Sequence, residues 1–441
     1  MKRIILLASA LLLCISALAQ EETPSKFSLY GFIRNYAVFD SRVSKAGTQD
    51  LYFYMPEGEK LSTDNTDLNA TPSFRMLSLT TRLGLKVSGY QFGSMKVNGA
   101  VEADFYCMSG SVAVFRMRQA YVGLGWDLAE NSNLLVNIGQ TWHPLAADMP
   151  HITNLETGAP FNPFNRSPQV MAHYSPNEHF TLTGGILFPM QYLPTGPEGK
   201  SLNYNKYAMI PEGYFGVAYK AGGFIGKVGV DVLTIKPYYN YTVSENVPYK
   251  DGDGANIHAG NKTLTETVTT TRGKANGLLT NISPFIYLQY TKGKFQIKAK
   301  SVLAQGGEHM NLLSGYGVYR FEESTHTYTY TPMRDWASFV SFQYGKKVQV
   351  LGMLGYMKQL GTTADLGGAL WMNTAAATNI HEAFRATPTV AWNIGKLTLS
   401  LEYNLTAAHF GEGNRNARGL YDNQGKWIMN HRIIWMTKFN F

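Results

Sequence analysis

The chain has 441 residues, with 39 Lys and Arg against 31 Asp and Glu, a formal charge of +8. Charged residues make up only 16%, below the ~25% of a typical soluble domain, while aromatics reach 13%. Two cysteines exclude a disulfide scaffold, and 43 Gly with 18 Pro are too few for a collagen-like or low-complexity chain.

The chain opens on Lys2 and Arg3, an apolar run from Ile4 to Leu13, and the small-x-small triplet Ala17-Leu18-Ala19. This pattern predicts a secretory signal peptide over 1–19, with Gln20 as the new N-terminus. Its removal leaves 37 basic residues against 31 acidic, a formal charge of +6. No later stretch offers eighteen consecutive apolar residues, so a spanning helix is excluded. A spanning strand is not, because it hides its hydrophobicity in alternate positions.

Period-two alternation runs through the rest. In 76–88, Leu77, Leu79, Leu83, Leu85 and Val87 oppose Ser78, Thr80, Arg82 and Lys86. In 95–106, Val97, Val101 and Phe105 oppose Lys96, Glu102 and Asp104. The segment 113–126 breaks the rule, since Arg116 and Arg118 share parity with Val122 and Trp126. Either a bulge intervenes or the outer face turns to a subunit contact. In 294–303, Phe295 and Ile297 oppose Lys298 and Lys300. At the C-terminus, Ile433, Trp435, Phe439 and Phe441 oppose Arg432 and Lys438.

About sixteen such runs begin near Phe27, Phe74, Met95, Ala113, Leu134, Pro168, Phe180, Tyr207, Phe224, Gly277, Phe295, Met333, Val348, Glu382, Leu397 and Trp427. Pro284 and Pro388 fall inside two of them, where each removes a ladder donor. Short and long connections alternate, except that the short one at Met108–Val112 falls on the long side; Gly411–Lys426 is expected to be one of the long ones. The expectation is an all-β fold: one transmembrane antiparallel barrel over 20–441, with short periplasmic turns and long extracellular loops. Every backbone group then pairs within the closed sheet, as hydrocarbon demands. Phe439 and Phe441 read as the terminal aromatic signal for the barrel-assembly machinery.

Inward positions carry more base than acid. Arg34, Arg82, Lys86, Arg116, Arg118, Lys298, Lys300, Arg385 and Arg432 are the expected pore-lining set. Basic rings in a water-filled pore favour anions. The loop 143–166 holds Pro144, Pro150, Pro160 and Pro163 and no Lys, so it is stiff. It is expected to fold inward as a constriction, with Asp148, Glu156 and Arg166 at the slot and its acids facing the wall arginines.

Catalytic signals are poor. Gly199-Lys200-Ser201 lacks the upstream glycine of a phosphate loop, since position 194 is Pro. Asp251-Gly252-Asp253-Gly254 lacks a calcium loop's closing Glu. His143, His151 and His173 lack metal-ligand spacing and read as polar loop or wall residues. No enzyme, metal, cofactor or nucleic-acid partner is expected. The expected partners are small polar or anionic solutes, outer-membrane lipid and lipopolysaccharide.

Three runs carry a family resemblance: Phe115-Arg116-Met117-Arg118-Gln119-Ala120-Tyr121-Val122, Gly139-Gln140-Thr141-Trp142 and Asn165-Arg166-Ser167-Pro168-Gln169. Together they resemble the core of DcaP-like outer-membrane porins. The resemblance implies a homotrimer of sixteen-stranded barrels passing small, often anionic, solutes by diffusion. Val170 and Met171 stand where that family commonly carries a basic residue. The rival readings are a saccharide-selective channel, favoured by the many Tyr and Trp, and an outer-membrane enzyme or adhesin on a barrel scaffold.

Overall fold

The computed structural model describes residues 26–108, 111–259, 262–375 and 377–441. The expected leader, 1–19, lies outside the described residues. Among these, sixteen antiparallel strands close into one barrel. They are β1 (Phe27–Asp40), β2 (in two halves, Ser73–Leu77 and Arg82–Phe92), β3 (Met95–Met108), β4 (Ser111–Ala129), β5 (Ser132–Trp142), β6 (Arg166–Ser175), β7 (Phe180–Leu187) and β8 (Glu212–Ala221). The circuit continues through β9 (Phe224–Ile235), β10 (Leu279–Lys292), β11 (Phe295–Gln305), β12 (Thr327–Gly345), β13 (Val348–Thr362), β14 (in two halves, Ile380–Ala386 and Thr389–Ile394), β15 (Leu397–Arg415) and β16 (Tyr421–Asn440). The seam closes where β1 pairs with β16, from Phe32↔Asn440 to Asp40↔Arg432. Closure leaves no sheet edge to satisfy.

The alternation sorts cleanly between the two faces. On β16, Ile433, Trp435 and Phe439 are 45–46% exposed, while Arg432, Ile434 and Met436, which alternate with them, are buried. Phe441 closes the seam: its N–H bonds to the Gly31 carbonyl at 3.1 Å and its ring lies over Gly31. A Cβ at Gly31 would stand 2.3 Å from the Arg82 carbonyl oxygen and 2.7 Å from that ring, so only glycine fits.

Several expectations need correction. Leu77 and Leu79 do not face outward. The break at 78–81 shifts parity, so Phe74 and Met76 point out, at 65% and 76% exposed, and Leu79 packs inside against Tyr36. The run expected near Tyr207 is instead a short helix, Asn203–Ala208, and β8 starts only at Glu212. Tyr204 fixes that helix, accepting the Glu198 N–H and donating to the Gly199 carbonyl. Gly411–Lys426 is not a long loop. Paired strand continues to Arg415 and resumes at Tyr421, leaving a tight turn at 416–420.

Both prolines are accommodated. Pro284 pairs with Val230 on β9, and the ladder from β10 to β11 starts just after it, at Phe285. Pro388 sits in the gap between the halves of β14. In 113–126 the bulge is what occurs. Glu102 pairs with Gln119 and Ala103 with Met117, which leaves Arg118 as the extra residue. Phe115 and Met117 therefore face out above the bulge and Val122 below it.

The barrel is not hollow throughout. Leu145, Phe161, Met310 and Leu312 from connecting segments pack with Phe339, Met353 and Met357 of the wall. Phe161 seats against Gly355, where a Cβ would come within 2.6 Å of its ring. Each such fully buried side chain contributes about 1.5–3 kcal/mol.

Candidate solute pathway

The segment 143–165 leaves β5 and runs to the wall formed by β9 to β15. Lysines along that wall hold its first half. Lys227 pairs with Asp148 at 2.8 Å, Lys298 donates to the Met149 carbonyl at 3.0 Å, and Lys300 donates to the Leu145 carbonyl at 2.6 Å and to Asn162 at 2.9 Å. Farther on, the His151 N–H donates to Ser341, and the Thr153 N–H to Glu402.

Arg385 is the firmest anchor and is fully buried. Its guanidinium bonds Glu156 at 3.0 Å, the Ala159 carbonyl at 2.9 Å, the Tyr54 carbonyl at 2.7 Å and Thr406 at 2.8 Å. All donated bonds thus go to loops or to the neighbouring strand. Burial pushes the Glu156 carboxyl up to about 7, against the pull of Arg385. Arg432 is also fully buried, with Asp40 at 3.7 Å and a bond to the Asp50 carbonyl.

On the other side, a cavity of about 620 Å³ separates the wall of β1, β2 and β4 from residues 149–157. Arg34, Arg82, Arg116 and Arg118 line it. The bulge at Arg118 is what lets Arg116 and Arg118 face inward while Val122, of the same parity, faces out. Arg118 bonds Glu102 and Asp104, each at 2.8 Å. Arg116 bonds Asp104 at 2.8 Å, and Arg82 stands 3.5 Å from Glu102. Among the described residues Arg34 forms no ion pair; Thr80 accepts its Nε–H at 3.0 Å and an Nη2–H at 2.8 Å. Four guanidiniums therefore share two carboxylates, an excess of two positive charges. Arg166 adds a third nearby, stacked over Trp142 and Phe164.

The structure divides the expected set. Arg34, Arg82, Arg116 and Arg118 share one cavity, and Lys86 is exposed beneath it against Tyr30. Lys300, Arg385 and Arg432 are buried under loops and do not line it. The acids Asp148 and Glu156 face Lys227 and Arg385, not the four arginines. His143, read as a polar loop residue, is fully buried against Glu212 at 2.7 Å. Sequence spacing could not reveal this, because its neighbours come from β8, β9 and the turn after β11.

Comparisons place this geometry. No family model and no curated protein matches the chain. The outer-membrane channel DcaP of Acinetobacter baumannii superposes over 94% of this chain and 97% of that one, with a TM-score of 0.63 and 15% identity. This chain has a porin fold. An anion-selective porin from Comamonas acidovorans covers 94% of this chain and 99% of its own, with a TM-score of 0.52 and 10% identity. OmpT of Vibrio cholerae, expressed in the outer membrane, covers 95% and 99%, with a TM-score of 0.51 and 12% identity.

Proposed function

We propose that the chain is a passive outer-membrane channel for small hydrophilic solutes, with a preference for anions. The observation that carries this is the cavity wall, where four arginines share two carboxylates. Positive excess in a narrow, low-dielectric-walled passage raises the local concentration of anions. The segment 143–165 forms the constriction. The apolar outer band sits in lipid, and lysines and arginines at the outer rim meet lipopolysaccharide. Three barrels assemble as a homotrimer, as the resemblance to DcaP-like porins implies. Phe439 and Phe441 present the terminal signal to the assembly machinery.

A saccharide channel would need open aromatic faces. Around the cavity, Tyr52, Trp142 and Tyr192 all pack edge-on with Phe164, at 5.6, 5.3 and 6.0 Å between centroids. Their geometry favours packing against each other over stacking on a sugar.

Purified protein in a planar bilayer under a salt gradient tests the proposal. The expected result is stable conductance with a reversal potential of anionic sign, reduced by Arg82→Gln or Arg116→Gln. A silent barrel, or a reversal potential of cationic sign, would overturn it.

A further inference from the structure

At the root of the segment 143–165, four side chains from four parts of the chain meet. They are His143, following β5; Glu212, which opens β8; Asp231 on β9; and His309 in the turn Gly307–Met310. Each is 0–1% exposed. One ligand atom from each lies within 4.8 Å of all the others. His143 Nε2 stands 2.7 Å from Glu212 Oε1 and 3.5 Å from Asp231 Oδ1. His309 Nε2 stands 3.2 Å from Glu212 Oε1 and 3.5 Å from Asp231 Oδ2. A tetrahedral zinc ion with bonds of ~2.0–2.2 Å separates its ligands by about 3.3–3.6 Å. The His309–Glu212 edge and the two edges to Asp231, one to each of its oxygens, are close to that; the His143–Glu212 edge is shorter.

The hydrogen bonds do not close the account. Both Asp231 oxygens, Glu212 Oε2 and His309 Nε2 are buried without a hydrogen bond. His309 Nδ1 lies 3.2 Å from the Gly306 carbonyl, which can only accept, so that nitrogen carries the proton. In the neutral ring, Nε2 then turns a lone pair on two carboxylates. A Lewis acid relieves that contact, and the carbonyl-bound Nδ1–H is the orienting bond that ligating histidines usually make. A second proton on the ring would point one N–H at Glu212 Oε1, 3.2 Å away, and Asp231 Oδ2, 3.5 Å away, and would still leave Glu212 Oε2 without a donor.

We propose that His309, Glu212, Asp231 and His143 form a binding site for a divalent cation of the zinc class. His309 and the two carboxylates are its firm ligands. His143 is the fourth, and its ligation requires one change: the Leu145 N–H now donates to its Nδ1 at 3.1 Å, and that contact opens as Nδ1 takes up the proton. Enclosure means the ion enters as the barrel folds. Once in place it ties the start of the segment 143–165 to β8, β9 and the turn after β11. The site stands apart from the arginine-lined cavity, and this proposal does not rest on the solute reading.

The test refolds the full chain in detergent with zinc or cobalt(II), removes loose metal with a chelator, and measures bound metal. About one ion per chain is expected, with the strong visible absorption of tetrahedral cobalt. His309→Gln and Asp231→Asn, each shown folded by its heat-modifiable gel mobility, should lower retention at least tenfold. Wild-type protein that keeps no more metal than these variants would overturn the site. If neither variant folds, the wild type decides alone. Refolding with chelator should then lower its melting temperature and zinc should restore it; identical melting under both conditions defeats the proposal.

Discussion

Two halves of the same inner wall carry the same residue types and use them differently. On β1, β2 and β4, arginines stand at an open cavity and share too few carboxylates. From β11 to β16, Lys300, Arg385 and Arg432 point inward by the same alternation but are covered. Most of their partners are loop groups: the carbonyls of Leu145, Tyr54, Ala159 and Asp50, the Asn162 amide and the Glu156 carboxylate. A basic residue on a barrel strand is thus either a surface that a solute meets or a bracket that holds a loop. Which one it becomes depends on where the loop comes down. Charge in excess of its partners steers ions; charge consumed by partners fixes structure.

The bracket side is broken most severely at Arg385. Arg385→Met leaves Glu156 buried without its bonded cation and frees the carbonyls of Tyr54 and Ala159. Removing one member of a buried pair costs about 3–5 kcal/mol. The expected outcome is a lower melting temperature together with larger, noisier single-channel conductance, as the segment 143–165 loses its hold. Adding Glu156→Gln should recover at least half of the stability loss. Unchanged conductance in a folded Arg385→Met barrel would dissolve the distinction between the two halves.

That distinction was only half legible in the sequence. Alternation placed Arg34, Arg385 and Arg432 alike, because period two reports which face a residue occupies and nothing more. Closure of the barrel, the strand count and the odd parity at Arg116 and Arg118 were all accessible, since each is local or follows from a sheet that can have no edge. The parity switch at 78–81 was not. Thr80 sits there at φ 67, in the left-handed region that a β-branched residue rarely takes, so no propensity announces it. The loop contacts were hidden for a different reason. Lys227 and Asp148 lie 79 positions apart, and Arg385 and Glu156 229 apart. One sequence carries no sign of such pairings. The four-group cluster at His143 and His309 belongs to the same class.

A gentler probe of the bracket side is proton concentration. Burial raises the Glu156 carboxyl from 4.5 to about 7, so the folded chain binds that proton more tightly than the unfolded chain. Its contribution is fully present below about 4.5 and is lost as pH rises through about 7. The shift corresponds to at most ~3 kcal/mol. Glu308, pushed up to about 8 by burial, acts in the same direction. The difference between wild type and Glu156→Gln therefore isolates the loop carboxyl. Melting temperatures at pH 5 and pH 8 should diverge more in the wild type. Parallel pH profiles would mean that Arg385 holds the carboxylate ionised throughout.

The open side calls for the opposite kind of change, one that moves ions and leaves the fold alone. Arg34 is the residue for it. Its two side-chain hydrogen bonds go to the Thr80 hydroxyl, so Arg34→Gln orphans no carboxylate, and the amide can still donate to Thr80. Stability should move by no more than about 0.5–1 kcal/mol. The excess charge at the cavity falls from two to one. At ~8 Å and an effective dielectric of ~60, one charge is worth about 0.7 kcal/mol to a passing anion, roughly threefold in relative permeability. Reversal potentials at low ionic strength should show that loss, and high salt should erase it. If Arg34→Gln instead unfolds the barrel and leaves selectivity untouched, Arg34 too is a bracket, and the contrast between the two halves disappears.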